Sequence, residues 1–334
     1  MPWAEAAPDI SVVIVSWNVR PLLTQCLDSF VEVAGLTVDE ERQQSLLGTR
    51  SIDFWVVDNG SADDTVATLR AQYRWVHVID AGRNLGFSAG NNLALGQCRG
   101  RLVLLLNPDT VITRAPDGRD AITVLADELE CAPDVALVGP RLVYGDGTPQ
   151  SSRRRFPTLA MGLMESTLLE RWFPGNRWAR RYHLDDVPAD HVQDVDWVTG
   201  ACMLVRREAL AQVGLFDEGF FMYSEELDLC KRLRSAGWRV VYQPQATVVH
   251  YEGQSSGQVV ARRQVLFNTS KVRYFQKHVG AASATVLRLA LLSGFALEWA
   301  IEGAKWLVGH ERPLRRERMC AYREILRTGL KPVS

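Results

Sequence analysis

The acidic residues of this sequence include three placements that suit chemistry on a phosphate or hydroxyl group. Asp58 directly follows an apolar strand pattern, and a carboxylate there can accept hydrogen bonds from a ribose or a base. Asp109 also follows an apolar run, in Asn107-Pro108-Asp109, where a carboxylate suits Mg²⁺ or Mn²⁺. Glu225, Glu226 and Asp228 form a third cluster, and neighbouring carboxylates raise one another's pKa, which suits a general base.

A loop at 82–92 combines glycines, amides and Arg83 directly before a predicted helix. Its backbone N–H groups and the guanidinium suit a diphosphate, although its glycine spacing is neither that of a Rossmann fingerprint nor that of a P-loop. His250 ends an apolar strand pattern and is a candidate metal ligand. Each of these features also has an ordinary interpretation, as a turn, a helix start or a structural histidine.

Strands and helices that alternate over the first 110 residues would position these side chains. Apolar runs predict strands at 10–16, 53–57, 76–79 and 101–106, with helical spacing between them. This order predicts a parallel α/β sheet, in which ligands bind beyond the carboxyl ends of the strands. Polar clusters follow three of the strands, and together they predict one site. The clusters are Ser16-Trp17-Asn18, Asp58-Asn59-Gly60-Ser61 and Asn107-Pro108-Asp109-Thr110.

The second half of the chain supplies further elements for the same site. Residues 195–205 predict a strand pair or a bulged strand, because Gly200 and Ala201 interrupt an apolar run. Ser224 is the predicted cap of a helix whose first turn carries the acidic cluster, where the helix dipole favours carboxylates. A short strand is expected at 238–242.

Composition and charge exclude several classes of protein. The 334 residues are 47% hydrophobic and carry a formal net charge of -1, which excludes a disordered chain and a nucleic-acid binder. Positive charge is concentrated at 151–181, with seven Arg against two Glu, and at 262–334, with fourteen Lys and Arg against five Glu. The N-terminus lacks the regions of a signal peptide, which predicts a cytoplasmic location.

An amphipathic helix or helix pair is predicted near the C-terminus. Residues 285–308 are mostly apolar, but four charges interrupt them, so the segment is a poor candidate for a transmembrane span. At about 100° per residue, these charges fall in one sector and leave a wide apolar face. The face either packs on its own domain or lies in a membrane interface beside the arginines at 312–318.

The order of the motifs carries a family resemblance over about residues 11–256. SVVIVSWN, VVDNGS, GRNLGFSAGNN, LLLNPDT, WVTGACMLVRR, GLFDEGFFMYSEELDLCKR and VVHYEGQSS together resemble glycosyltransferase family 2, particularly its rhamnosyltransferase-like branch. The resemblance implies a GT-A-type α/β fold with a mainly parallel central sheet, followed by C-terminal amphipathic helices. The implied domains are 1–256, with a nucleotide-sugar half at about 9–110 and an acceptor half at 111–256, and a helical, membrane-associating region at 257–334.

The same resemblance assigns roles to individual residues. Asp109 and His250 are the implied metal ligands, and Glu226 is the implied catalytic base, with Glu225 as the alternative. Two departures from the family pattern are Asn-Pro-Asp in place of Asp-x-Asp and Glu-Glu in place of Glu-Asp. Together with the polar loops, the resemblance places substrate contacts at Asn18, Asp58, Arg83, Asn84, Gly86, Asn91, Trp197, Gly200, Ala201 and Asp228.

The implied activity is inverting transfer of a sugar, with a divalent cation, Mg²⁺ or Mn²⁺, as cofactor. dTDP-L-rhamnose is the favoured donor beside UDP- and GDP-sugars, and the acceptor is a glycan or a polyprenyl-linked glycan of the bacterial cell envelope. The expected location is the inner face of the cell membrane, on an anionic surface. The sequence leaves the oligomeric state open, with a homo-oligomer as one alternative. The alternative is a non-catalytic scaffold that binds nucleotide sugars, but such a protein is expected to lose Asp109, Glu226 or His250, and all three are present.

Overall fold

The computed structural model describes residues 7–165, 172–173, 175–252 and 260–331. The chain divides into two compact units. The sheet unit comprises Met1–Arg155, Val187–Asp217 and Glu226–Ser255, and the helical unit comprises Phe156–Asp186, Glu218–Glu225 and Ser256–Ser334. The sequence-based boundary between 256 and 257 stays a prediction.

The sheet unit contains a large mixed β-sheet with helices packed against it. Its strands are β1 (Ile10–Ser16), β2 (Thr37–Asp39), β3 (Gln44–Leu47), β4 (Arg50–Asp58), β5 (Val76–Asp80), β6 (Leu102–Leu106), β7 (Thr110–Ile112), β8 (Val135–Val143), β9 (Pro149–Gln150), β10 (Arg153–Arg154), β11 (Gln193–Asp194), β12 (Trp197–Val198), β13 (Cys202–Arg206) and β14 (Arg239–His250). Its helices are α1 (Arg20–Glu32), α2 (Thr65–Gln72), α3 (Phe87–Leu95), α4 (Ala121–Cys131), α7 (Arg207–Val213) and, from its second residue onward, α8 (Glu225–Ser235).

The centre of the sheet is parallel, as the alternation of strands and helices predicts. β6, β1, β4 and β5 are neighbours in that order and run in the same direction. Every residue of β1 is buried, because helices cover both faces of a parallel sheet and its β-branched side chains pack well there. The predicted α/β class is therefore confirmed, and the carboxyl ends of these strands lie at one edge of the sheet.

Two further strands bring the second half of the chain into this sheet. β13 runs antiparallel to both β6 and β8, and β14 runs parallel to β8. β14 is longer than the strand expected at 238–242, and its pairing with β8 is interrupted by a bulge. Gln243 pairs with Pro140, whereas Thr247 pairs with the next residue, Arg141, so three residues of β14 have no partner position on β8.

The helical unit is built from α5 (Leu159–Met164), α6 (Arg177–Tyr182), α9 (Val260–His278), α10 (Ala281–Leu307) and α11 (Arg312–Thr328). α10 packs against α5, α9 and α11. Its buried residues recur at helical spacing through Ala284, Leu287, Leu291 and Phe295, and they form the apolar core of this unit. The predicted C-terminal amphipathic helices are confirmed, although the polarity of α10 proves unusual, as described below.

Candidate active site

The polar ends of the central strands lie along one edge of the sheet. Asp58 is the last residue of β4, opposite the end of β1, and Asn107 directly follows β6. Because β13 is antiparallel, Gly200 and Ala201 precede it at this same edge, where the Asn107 amide donates to the Ala201 carbonyl over 2.9 Å. Neighbouring strands are about 4.8 Å apart, so the ends of β4 and β6, on either side of β1, are about 10 Å apart.

Asp58 and Asn18 join the loops that follow β4 and β1. Asp58 Oδ2 accepts a hydrogen bond from the Ser61 amide at 3.0 Å, and Asn18 Oδ1 accepts one from the Ala62 amide at 2.7 Å. The second carboxylate oxygen of Asp58 is shut off from solvent and has no hydrogen-bond partner among the described residues. An unpaired buried carboxylate oxygen at a strand end can accept a hydrogen bond from a ligand.

The glycine-rich loop before α3 is held by Asn59, whose role is not evident from the sequence. Asn59 Nδ2 donates to Asn84 Oδ1 at 3.2 Å and to the Gly86 carbonyl at 3.0 Å, and Asn59 Oδ1 accepts from the Leu85 amide at 2.9 Å. The backbone of Arg83 passes so close to Gly60 that a Cβ there would lie 2.7 Å from Arg83 Cα. These contacts hold the loop against the end of β4.

Three of the predicted loop residues have different surroundings. Arg83 is exposed, so its guanidinium is open to solvent and to a ligand. Asn84 Oδ1 also accepts from the Gly86 amide at 2.9 Å, so this oxygen shapes the loop. Asn91 is buried in α3 and its Nδ2 donates to the Phe87 carbonyl at 2.9 Å, within the same helix.

Asp109 and His250 come together directly. His250 ends β14 opposite Thr110 of β7, and its Nε2 lies 3.3 Å from Asp109 Oδ1. On the other side of the ring, Nδ1 lies 2.8 Å from Gln150 Oε1. Because Gln150 Nε2 donates to Glu252 Oε2 at 2.8 Å, Gln150 Oε1 acts as an acceptor and assigns the imidazole proton to Nδ1.

This arrangement suits a cation between Asp109 and His250. With the proton on Nδ1, the lone pair of Nε2 faces a carboxylate oxygen, and both side chains are buried. Asn107 Nδ2 lies beside them, 3.5 Å from Nε2. Among the described residues, no group of three or more His, Cys, Asp or Glu side chains could hold a metal ion. A divalent ion here would therefore take its remaining ligands from phosphate oxygens and water, as Mg²⁺ does at phosphate sites.

Glu226 lies beside Gly200 at the start of α8. A Cβ placed on Gly200 would lie 3.4 Å from Glu226 Cβ, so the small residue admits this side chain. Glu226 Oε2 is shut off from solvent and, within the described residues, has no hydrogen-bond partner. Burial raises the pKa of Glu226, although backbone hydrogen bonds and the charge of Arg154 partly offset this effect. A carboxylate with a raised pKa is suited to accept a proton.

The other predicted residues near Glu226 have structural partners. Trp197 is buried, its Nε1 donates to the Arg155 carbonyl at 3.0 Å, and the Arg154 guanidinium lies 5.1 Å above its ring centre. Asp228 is fully buried and bonds Arg232 Nε at 2.8 Å. Glu225 is buried as well. The side chains of Trp197 and Asp228 therefore have scaffold contacts in addition to any role with a substrate.

Solved structures of similar fold are glycosyltransferases. The chain resembles a mannosyltransferase from Pyrobaculum calidifontis in complex with GDP-Man and Mn²⁺, with a TM-score of 0.51 at 16% identity over 98% of this chain and 86% of that one. It also resembles GalNAc-T7 with UDP, GalNAc and Mn²⁺, with a TM-score of 0.51 at 13% identity over 73% of this chain and 43% of that one. The fold is therefore that of the GT-A-type glycosyltransferases, as predicted.

Sequence comparison identifies the family. The profile described as "Glycosyltransferase like family 2" matches residues 8–265, so the chain belongs to this family. The N-acetylglucosaminyl-diphospho-decaprenol L-rhamnosyltransferase of Mycobacterium tuberculosis is 32% identical over 92% of this chain and 95% of its own length. The rhamnosyltransferase WbbL of Escherichia coli is 49% identical over a shorter stretch, 17% of this chain and 22% of its own length. The protein is thus a glycosyltransferase of the rhamnosyltransferase-like branch.

Proposed function

We propose that this glycosyltransferase moves L-rhamnose from dTDP-L-rhamnose to a polyprenyl-diphosphate-linked glycan, with inversion at the anomeric carbon. The sugar and the acceptor class are supported by the mycobacterial relative, which matches the chain over almost its whole length and whose name specifies both. The location that follows is the cytoplasmic face of the membrane, where such an acceptor is accessible to a cytoplasmic enzyme.

One observation supports the catalytic part of the proposal: two candidate metal ligands and a candidate base lie at the same edge of the sheet. Asp109 and His250 face each other at 3.3 Å beyond β6 and β14, and Glu226 lies beside Gly200, just before β13. β13 and β6 are neighbouring strands. The edge therefore combines groups for a leaving diphosphate with a group for an attacking hydroxyl.

The proposed step is a single displacement. The acceptor hydroxyl attacks the anomeric carbon, the bond from this carbon to the diphosphate oxygen breaks, and Glu226 takes the hydroxyl proton. The nucleoside diphosphate departs with the bonding electron pair. A divalent cation held by Asp109 and His250 would supply charge neutralisation for the diphosphate. The exposed Arg83 can add a second positive charge near the phosphates.

Donor recognition is assigned to the loops beyond β1, β4 and β5. Asp58 is proposed to accept a hydrogen bond from the nucleoside through its unpartnered Oδ1, and Asn18 holds the loop beside it. Asn84, Gly86 and Asn91 are proposed to line the sugar nucleotide mainly by fixing the backbone of their loop. Trp197, Gly200 and Ala201 are proposed to border the donor sugar, and Asp228 to hold the start of α8.

A transfer assay with defined substrates tests the proposed function. The full chain is incubated with Mn²⁺ or Mg²⁺, a synthetic N-acetylglucosaminyl-diphospho-polyprenol and a panel of dTDP-, UDP- and GDP-sugars. We expect dTDP-L-rhamnose to give a product heavier by one rhamnose residue, detected by mass spectrometry, and chelation of the metal to stop the reaction. Transfer from another donor would overturn the sugar assignment, and full activity in excess chelator would overturn the metal assignment.

A further inference from the structure

The long helix α10 carries its charges on its packed side and an uncharged surface on its outer side. Glu302 is buried and accepts a hydrogen bond from Arg315 of α11 at 2.9 Å, and Arg288 Nε donates to the Gly329 carbonyl at 2.6 Å. α10 lies wholly within the described residues, and none of the residues on its outer side is charged. These outer residues are Ala281, Ala282, Thr285, Val286, Leu289, Ser293, Ala296, Leu297, Trp299, Ala300, Ala304, Trp306 and Leu307.

The apolar members of this surface are large and well exposed. Leu289 is 59% exposed, Val286 49%, Leu297 48% and Trp299 41%. A water-facing helix normally carries its charged residues on the exposed side, whereas α10 carries them on the packed side. An exposed apolar surface of this length marks an interaction site. We name it the outer face of α10.

The neighbouring helix α11 is basic where it meets solvent. It exposes five arginines against two glutamates, and α11 lies wholly within the described residues. The arginines are Arg312, Arg316, Arg318, Arg323 and Arg327, and the glutamates are Glu317 and Glu324. Cations beside an apolar, tryptophan-bearing helix face match the interface of an anionic bilayer, where tryptophan is favoured and each nearby cation adds to the attraction.

We infer that the outer face of α10, together with the exposed arginines of α11, docks on the surface of an anionic lipid bilayer. This inference extends the proposed function and rests on it in one respect, since the proposed polyprenyl-linked acceptor is embedded in such a bilayer. A second copy of the chain fits the same surface less well, because a symmetric pairing would bring two sets of α11 arginines together.

The helix is inferred to lie in the plane of the membrane. By length and composition α10 could cross a bilayer, in contrast to the sequence-based expectation, because three of its four charges fall in its second half. However, buried contacts run along it from Ala284 to Glu302, and the basic α11 packs on the same side. Spanning would draw the arginines of α11 toward the hydrocarbon, where charges are costly.

Vesicle co-sedimentation of the full chain tests this inference without donor or acceptor. We expect binding to phosphatidylcholine vesicles that contain phosphatidylglycerol, and much weaker binding to phosphatidylcholine alone. The double variant Leu289→Gln/Leu297→Gln should lose about tenfold or more of its binding. Val31→Gln, an exposed position of α1 in the sheet unit, is the matched control and should bind as the wild type does.

A second pair of variants isolates the charge contribution. Arg316→Gln/Arg323→Gln should weaken binding to anionic vesicles only, whereas Arg70→Gln/Arg74→Gln removes the same charge from exposed positions of the sheet unit and should change nothing. Unchanged binding by the Leu289/Leu297 variant would overturn the inference. So would a wild-type dimer, measured by light scattering, that this variant converts to a monomer, since the occupant would then be a second copy.

Resistance of the membrane-bound chain to alkaline carbonate extraction would also overturn the in-plane arrangement, because a spanning helix resists this treatment. Failure of the docking inference is distinguishable from failure of the proposed function. Transfer to a short-chain, water-soluble acceptor analogue would continue in the Leu289→Gln/Leu297→Gln variant if only the docking surface were lost. Loss of rhamnose transfer with intact vesicle binding would point to the proposed function instead.

Discussion

Glu226 and Glu225 are adjacent acids of which only one is expected to act as the base. Glu226 packs beside Gly200, at the edge of the sheet where Asp109 and His250 lie. We predict that Glu226→Gln lowers kcat by about 10²- to 10⁴-fold and leaves the dissociation constant of the nucleotide sugar nearly unchanged, as measured by initial rates and calorimetry. Glu225→Gln is the matched control and should retain most activity. The reverse ranking of the two variants would move the base to Glu225.

Burial of Glu226 should also be visible in stability. Its pKa is raised by burial, so the folded chain holds this proton more tightly than the unfolded chain does. The resulting stabilisation is present below the ordinary pKa of a glutamate and is lost as the pH rises through the raised value. We predict that Glu226→Gln melts at a higher temperature than the wild type at pH 8, and that the difference vanishes at acidic pH.

The corresponding pH series of melting temperatures is a direct measurement of the sign of this effect. Glu225→Gln serves as its comparison, because it removes an adjacent buried acid. A Glu226→Gln variant that is less stable than the wild type at pH 8 would show that the carboxylate is stabilised in its charged form. In that case the side chain would be a structural anion and a poor base.

Gln150 is expected to act on a metal through His250. Its Oε1 accepts from His250 Nδ1 at 2.8 Å and so turns Nε2 toward Asp109. We predict that Gln150→Leu weakens Mn²⁺ binding about ten- to a hundredfold, as is typical when the hydrogen-bond partner of a metal-binding histidine is removed. Titration calorimetry with Mn²⁺ in the presence of dTDP measures this. Gln97→Leu, at an exposed position, is the control and should have no effect.

At the level of elements, the contact between the β4 loop and the β5 loop offers a sharp test. Gly60 and Gly35 have similar left-handed φ angles, 75° and 77°, but only at Gly60 would a Cβ overlap other atoms, those of the Arg83 backbone. We predict that both alanine variants lose stability from backbone strain, and that Gly60→Ala loses about 1 kcal/mol more. Chemical denaturation measures the difference, and the KM for the donor should rise only in Gly60→Ala.

Equal losses in the two variants would mean that the loops can separate without cost. The Asn59 bonds to the loop before α3 would then be too weak to hold its shape. The comparison therefore tests whether the donor loops are formed before a ligand arrives.

The central strands were predictable because their sequences are strongly patterned. β1 and β6 are continuous apolar runs, and the polar clusters after them mark the edge where Asp58 and Asp109 lie. The hairpin of β2 and β3 is not evident from the sequence, since its strands are only three and four residues long and carry few apolar side chains. The sequence predicts a short strand for β14 because Pro244 interrupts its apolar pattern, whereas the structure accommodates this proline in the bulge.

Within the candidate site, charged residues were predictable and uncharged supports were not. Carboxylates and a histidine at strand ends suggest chemistry on their own. Asn59 and Gln150 gain their roles from contacts with residues 25 and 100 positions away, Asn84 and His250. No local pattern distinguishes such an amide from a solvent-exposed one. The only sequence indication for Asn59 is its position directly after Asp58, at the end of a strand.

At the level of the whole molecule, the helical unit contains a buried ion pair between Glu302 and Arg315. Burial raises the pKa of Glu302, but hydrogen bonds from Arg315 and Lys305 outweigh this effect together with the charges of the same two residues, and the pKa lies below its ordinary value. We predict that Arg315→Met destabilises the chain by about 3 kcal/mol, because it leaves a buried carboxylate with weaker compensation. Denaturant titration followed by circular dichroism measures the loss.

The double variant Glu302→Leu/Arg315→Met is the companion measurement for this pair. It removes both charges from between α10 and α11, and most of the lost stability should return. A double variant no more stable than Arg315→Met would show that the ion pair contributes net stability beyond compensation of its own burial.

The bulge in β14 decides which face of the sheet carries His250. Successive side chains of a strand alternate between the two faces of a sheet, and a shift by one residue exchanges them. Three residues of β14 are accommodated between Gln243 and Thr247 while β8 advances by one, so His250 falls on the same face as Gln243. Without the bulge, seven residues of regular alternation would place His250 on the face opposite to Gln243, away from Asp109. The odd number of unpaired residues therefore brings the imidazole to its carboxylate partner.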